Sequence, residues 1–160
     1  MHGYLYKKKN MKPLYVLIGT FILSLMVLKF VSTQIDFTLA GRIAMACMLL
    51  FTAIGHFAFT KGMAAMVPDF FPFKTEIVFA TGILEIAFAI GLLIPGSALF
   101  TGWTLIAFFI LILPANIKAS LENINYQTGE LNGPGLSYLW FRIPMQILFM
   151  VWVYFSAIRG

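Results

Sequence analysis

Residues 82–95 read GILEIAFAIGLLIP, an apolar run that carries one carboxylate, Glu85. Such a run is long enough to belong to a membrane-spanning helix, and Glu85 then sits where a bilayer holds least water. A buried, unpaired carboxylate either takes up a proton or finds a cation. The polar residues elsewhere in the chain decide which.

The composition around this run is that of a membrane protein. Of 160 residues, 61% are hydrophobic and 11% charged, and the mean hydropathy is +0.91. A soluble domain has about 45–50% apolar and about 25% charged residues. Five apolar segments come near the ~20 residues that a bilayer requires: 13–31, 39–60, 77–94, 98–119 and 139–157. The net charge of +5 does not point to nucleic acid, because Lys7, Lys8, Lys9 and Lys12 lie together just before the first segment. They read as a cytoplasmic retention signal that also favours anionic lipid. With the lysine-rich tail inside, Lys61, Lys74, Lys118 and Arg142 fall on or near the inner side, and Lys29, Arg42 and Arg159 near the outer side. That bias predicts a cytoplasmic N-terminus and an outer C-terminus in a plasma (inner) membrane of bacterial type. The first segment is too long for a signal-peptide core and no A-x-A site follows it, so it reads as a retained anchor. The expected organisation is a basic tail (1–12), an anchor helix with its outer loop (13–36) and a membrane domain (37–160).

The connections differ in character. Pro95-Gly96-Ser97 is a tight turn that makes the third and fourth segments antiparallel neighbours. Residues 61–76, KGMAAMVPDFFPFKTE, are apolar and aromatic, and Pro68 and Pro72 forbid a continuous helix. Met63, Met66, Phe70, Phe71 and Phe73 suit an interfacial segment or a lid folded over the inner mouth. Thr75 is the expected N-cap of the third spanning helix, with Glu76 in its first turn. Residues 120–137 form the one ordinary polar loop.

The polar residues inside the spans carry the functional signal. The first segment has only Thr20 and Ser24 and reads as peripheral. The second brings His56. The third brings Glu85, with Thr81, Gly82 and Ala89 on its face. The small residues there let another helix come close. The fourth brings Pro114 and Asn116, the fifth Arg142, Pro144 and Gln146. The prolines free the Ile110 and Trp140 carbonyls for partners inside the bundle. By helical rise, Glu85 lies roughly 13 Å above Glu76, and Arg142 roughly 5 Å in from Leu139. Arg142 reaching up and Glu85 reaching down cover the remaining ~8 Å. The sequence therefore predicts a Glu85–Arg142 pair, completed by His56, Asn116 and Gln146. Such residues also serve simply to fix helix packing, so the cluster has both a binding and a structural reading. Cys47 reads as core filler, and Phe57, Phe59, Phe70 and Phe71 as possible pocket walls.

Several chemistries are excluded. Bis-histidine haem needs two histidines in the spans, and His2 lies in the tail. Structural zinc lacks a Cys/His set, and thiol–disulfide exchange lacks a second cysteine. No phosphate-cradling glycine loop and no G-x-S-x-G are present. Binding of a small lipophilic molecule by His, Arg, Gln and Asn under aromatic cover survives, and a quinone fits that description.

The ordered stretches GHF, MVPDFFPF, GILEIAFAIGLLIP, PANI and RIPMQ resemble those of the DoxX-like family of small integral membrane proteins. The resemblance spans about Gly41 to Tyr154. It implies an all-α membrane protein with an antiparallel four-helix core, here with one N-terminal helix added, and a polar site at His56, Glu85, Asn116, Arg142 and Gln146. Relatives in that family include subunits of thiosulfate:quinone oxidoreductases, redox-associated membrane proteins and receptor chaperones. The reading is thus a redox-associated accessory subunit that holds a quinone-like or other lipophilic small molecule and is not catalytic by itself. The other reading is a non-catalytic interaction or assembly protein. Its partners are the bilayer and a larger membrane complex, with no metal.

Overall fold

The computed structural model describes residues 11–32 and 34–160; the Lys7–Lys9 run and His2 lie outside them. The described residues form helices joined by turns, with no strand among them. Helix α1 spans Lys12–Val31, α2 Phe37–Ala58, α3 Thr60–Met66, α4 Lys74–Leu93, α5 Ala98–Leu111, α6 Leu113–Leu121 and α7 Leu136–Val153, which runs into a π-helical turn at Tyr154–Ile158. Five stretches are long and apolar enough to cross a membrane: Lys12–Val31, Phe37–Ala58, Lys74–Leu93, Ala98–Leu121 and Leu136–Ile158. They coincide with the five segments that hydropathy predicts.

The boundaries have local causes. Asp36 caps α2 by accepting the Leu39 N–H at 2.8 Å. Helix α3 stops at Met66 because Val67, before Pro68, is held extended at ψ 131. The start of α4 differs from expectation. Phe73, in the left-handed region at φ 57, precedes its first residue, Lys74, so Thr75 is already inside the helix. The turn after Pro72 reverses the chain through the backbone of Phe73, which leaves the threonine hydroxyl no cap to make. Glu76 does lie in the first turn, where a negative charge is favoured. Pro114, in the first turn of α6, accompanies a break from α5 at Ile112. Pro144, by contrast, is accommodated within α7.

Helix α2 packs on both α1 and α4, and α5 packs on α4 and the π-helical turn. The innermost side chains are Leu17, Met45, Met48, Leu49, Leu92, Leu105 and Val153, all essentially without exposure. Leu17 comes from α1, which is otherwise the least enclosed span, 11% buried against 44% for α2. Outward-facing Phe30, Phe100, Leu111 and Trp140 are more than 70% exposed, an apolar exterior that suits lipid contact. The polar loop is ordered by its own backbone. Asn125 N–H donates to the Glu130 carbonyl and Gly133 N–H to that of Asn123, while buried Ile124 packs with Met66 and Ala119.

The aromatic turn between α3 and α4 is tied down by charge. Asp69 accepts from Lys74 Nζ at 2.5 Å and from Lys118 Nζ at 2.8 Å. Lys118 also donates to the Val67 carbonyl at 3.1 Å. The start of α4 and the end of α6 therefore lie at one end of the bundle. These bonds, Lys118 first and then Lys74, hold the Asp69 carboxyl down at about 2. Phe70 and Phe73 of this turn remain largely exposed.

Candidate functional site: an intramembrane cavity at Glu85

Glu85 lies on a face of α4 that also carries Val78, Thr81 and Gly82, spaced at one and two helical turns. Gly82 is what brings a second helix onto this face. A Cβ there would stand 3.0 Å from the Cβ of His56 and 3.1 Å from the Phe57 ring, tighter than side chains usually pack, so glycine lets α2 sit at this separation without giving way. The approach lays the His56 imidazole along α4. Its Nδ1 is 3.2 Å from the Val78 carbonyl and 3.0 Å from Thr81 Oγ1, while Thr81 donates to the same carbonyl at 2.9 Å. A carbonyl only accepts, so the Val78 contact is a hydrogen bond in the tautomer that carries the hydrogen on Nδ1; in the other tautomer Nδ1 accepts from the Thr81 hydroxyl. The other ring nitrogen, Nε2, faces Glu85 Oε1 at 3.5 Å.

The partner of Glu85 is thus His56, and the predicted Glu85–Arg142 pair does not form: no ion pair joins them among the described residues. The reason is packing. Helices α2 and α4 are in close contact at Gly82, whereas Arg142 stacks on its own helix, its guanidinium carbon 4.8 Å from the centre of the Tyr138 ring one turn earlier. Glu85 is 4% exposed, and its Oε2 has no hydrogen-bond partner among the described residues. A buried polar atom without a partner is uncommon enough to need a cause.

Arg142 nevertheless shares a space with Glu85. A cavity of about 70 Å³ is lined by Glu85, Asn116, Arg142 and Gln146, with Thr52 and Pro13 beside them and Met48, Phe109, Ile112, Met145 and Phe149 as apolar wall. Four of the five residues singled out in the sequence line it. His56 reaches it through Glu85. Gln146 is partly committed: its amide donates to the Phe109 carbonyl, at the break between α5 and α6. Pro114 cannot serve the Ile110 carbonyl, and the Ile112 N–H donates to the Phe108 carbonyl at 3.1 Å; the carbonyl that α7 serves is that of Phe109, one residue before Ile110. Asn116 is buried, and its own carbonyl accepts from Ser120 Oγ at 3.0 Å.

Thr52 and Pro13 escape sequence reading, as do the five residues of the apolar wall. Thr52 stands one turn before His56 and shares its face, a spacing that could have flagged it. Pro13 lies in the segment that reads as peripheral and carries no polar signal. Among the described residues, no group of His, Cys, Asp and Glu is placed to hold a metal ion. The site as built offers a carboxylate, a guanidinium and a carboxamide inside an apolar wall, which suits hydrogen bonding of a small polar head in a low-dielectric setting.

Among the described residues, fold and site together define an all-helical protein with five helices long and apolar enough to cross a membrane and an ionisable cluster between them. The chain belongs to the family described as a domain of unknown function, DUF8561, whose family model matches residues 45–157. That stretch contains every residue named in the cluster. No curated protein and no solved structure matches the chain.

Proposed function

We propose that this protein is a multi-pass membrane protein that binds the oxygen-bearing head of a lipophilic molecule in the Glu85–Arg142 cavity, as an accessory subunit of a larger membrane or redox complex. The observation that carries the reading is the buried Glu85 Oε2 without a partner, in a cavity that Arg142 also lines. A charged group kept at membrane depth is costly and marks a ligand or ion pathway more often than a packing device. In this reading α2, α4, α5–α6 and α7 surround the site, α1 anchors its flank, and the lysine-rich end faces the cytoplasm of a bacterial-type cell. The DoxX-like order of motifs supports the same assignment and suggests a quinone-like head. Size limits how such a head fits. The cavity's 70 Å³ is under half of the ~150 Å³ that accommodates a benzene ring. The carbonyl edge of a ring enters, therefore, with the remainder along the apolar wall.

A second reading, an interaction or assembly protein with a structural cluster, rests on Gln146, which is committed to the Phe109 carbonyl, and on the His56–Glu85 contact. One experiment separates the two. Protein purified in mild detergent is examined by native mass spectrometry for a lipophile at one per chain, in wild type and in Glu85→Gln and Arg142→Leu. The binding reading expects an adduct in the wild type that is lost in both variants. A folded wild type without adduct, or an adduct retained in both variants, sinks it and favours the assembly protein.

A further inference from the structure

The backbone contact at Val78 fixes more than the orientation of His56. In the tautomer that donates Nδ1–H to the Val78 carbonyl, Nε2 of the neutral imidazole is a bare lone pair. A lone pair and a carboxylate oxygen 3.5 Å apart repel unless a proton lies between them. The pair therefore holds one proton on the Nε2–Oε1 side, as imidazolium with carboxylate or as imidazole with carboxylic acid. In both arrangements Oε2 carries no hydrogen. It can only accept, and it has no donor among the described residues. Arg142, on the cavity lining, can only donate.

We propose that the occupant of the cavity is a lipophile with a weakly acidic O–H group, a phenol or its chemical like, which donates to Glu85 Oε2. The proposal rests on the cavity being a binding site, as argued above. The pair also gives the hydroxyl proton somewhere to go. As the O–H hydrogen passes to Oε2, the shared proton settles on Nε2. The products are imidazolium, a neutral carboxylic acid and an oxyanion, with protons and charge conserved. Arg142 is the cation available to the oxyanion. His56 and Arg142, from α2 and α7, are the charged groups facing Glu85 among the described residues; Thr52, Asn116 and Gln146 are neutral. His56 acts through Glu85, and so is a positioning residue.

The test compares 4-heptylphenol with its methyl ether, which matches it in shape and lacks the donor. Titration calorimetry on the full chain in detergent should give a phenol Kd at least about ten-fold tighter, the size of a hydrogen bond to a charged group. Difference infrared spectra should show the carboxylic acid stretch growing, or shifting as the acid proton moves from Oε1 to Oε2, on phenol addition, a change absent in Glu85→Gln. His56→Gln should lose that signal more than it loses affinity. Equal binding of phenol and ether, competitive with each other, overturns the proposal and leaves the binding site standing. Binding of neither overturns the site itself. The wild-type comparison needs no variant, so misfolding of a mutant does not blunt it.

Discussion

Replacing His56 with leucine removes the group that faces Glu85 Oε1 at 3.5 Å. At an effective dielectric of about 20, two unit charges at that distance attract by roughly 5 kcal/mol. Water at the partly exposed imidazole, 18% against 6% for the carboxylate, reduces this, and about 2–4 kcal/mol is expected for the pair. Had the two groups no charge between them, the contact would be an intramembrane hydrogen bond, worth about 0.6 and at most about 1.7 kcal/mol. A double-mutant cycle of His56→Leu and Glu85→Gln, read by SDS-driven unfolding in mixed micelles, measures the coupling directly. Glu85→Gln should rescue much of the His56→Leu loss, because the double variant no longer buries an uncompensated charge. The matching cycle with Arg142→Leu should give a smaller coupling, since Arg142 is stacked on Tyr138. A His56–Glu85 coupling under about 0.5 kcal/mol, the limit of simple additivity, or a larger one for Arg142–Glu85, would refute the pairing.

The Asp69 latch should open in acid. Its carboxyl is held at about 2 in the folded chain against an ordinary 3.8, so its contribution is present above about pH 4 and lost as the pH falls towards 2. A spin label at Phe71 should gain mobility over that window, and Asp69→Asn should make it mobile and insensitive to pH. Gly82→Val should push α2 from α4 and cost about 1–3 kcal/mol as overpacking. The control Gly19→Ala, with nothing within 4 Å of the new carbon, should be neutral or slightly stabilising by the same unfolding assay. For orientation, in a Cys47→Ala background, Ser97→Cys should react with an impermeant thiol reagent added outside intact cells and Gln127→Cys should not. The opposite pattern reverses the topology.

The five spans and most of their ends were legible in the chain itself, because transfer of an apolar helix to lipid and the closing of its backbone bonds are properties of each segment alone. The break at Pro68 was local for the same reason, whereas Pro114 and Pro144 read alike in the sequence and only Pro114 accompanies a break. The face on which Glu85 lies was local as well, since one-turn spacing places Thr81 and Gly82 beside it whatever packs there. Four of five cluster residues do meet at one cavity. What spacing along a helix does not contain is which neighbour comes nearest and how it is rotated. Depth alone made Arg142 as good a partner for Glu85 as His56. The choice fell to His56 because a missing side chain at Gly82 lets α2 settle against α4, and because the Val78 carbonyl then holds the imidazole in place. The start of α4 was lost to inspection in the same way. A left-handed Phe73 is a product of the turn that Asp69, Lys74 and Lys118 draw together, three residues that are up to 49 positions apart in the chain and adjacent only once it has folded.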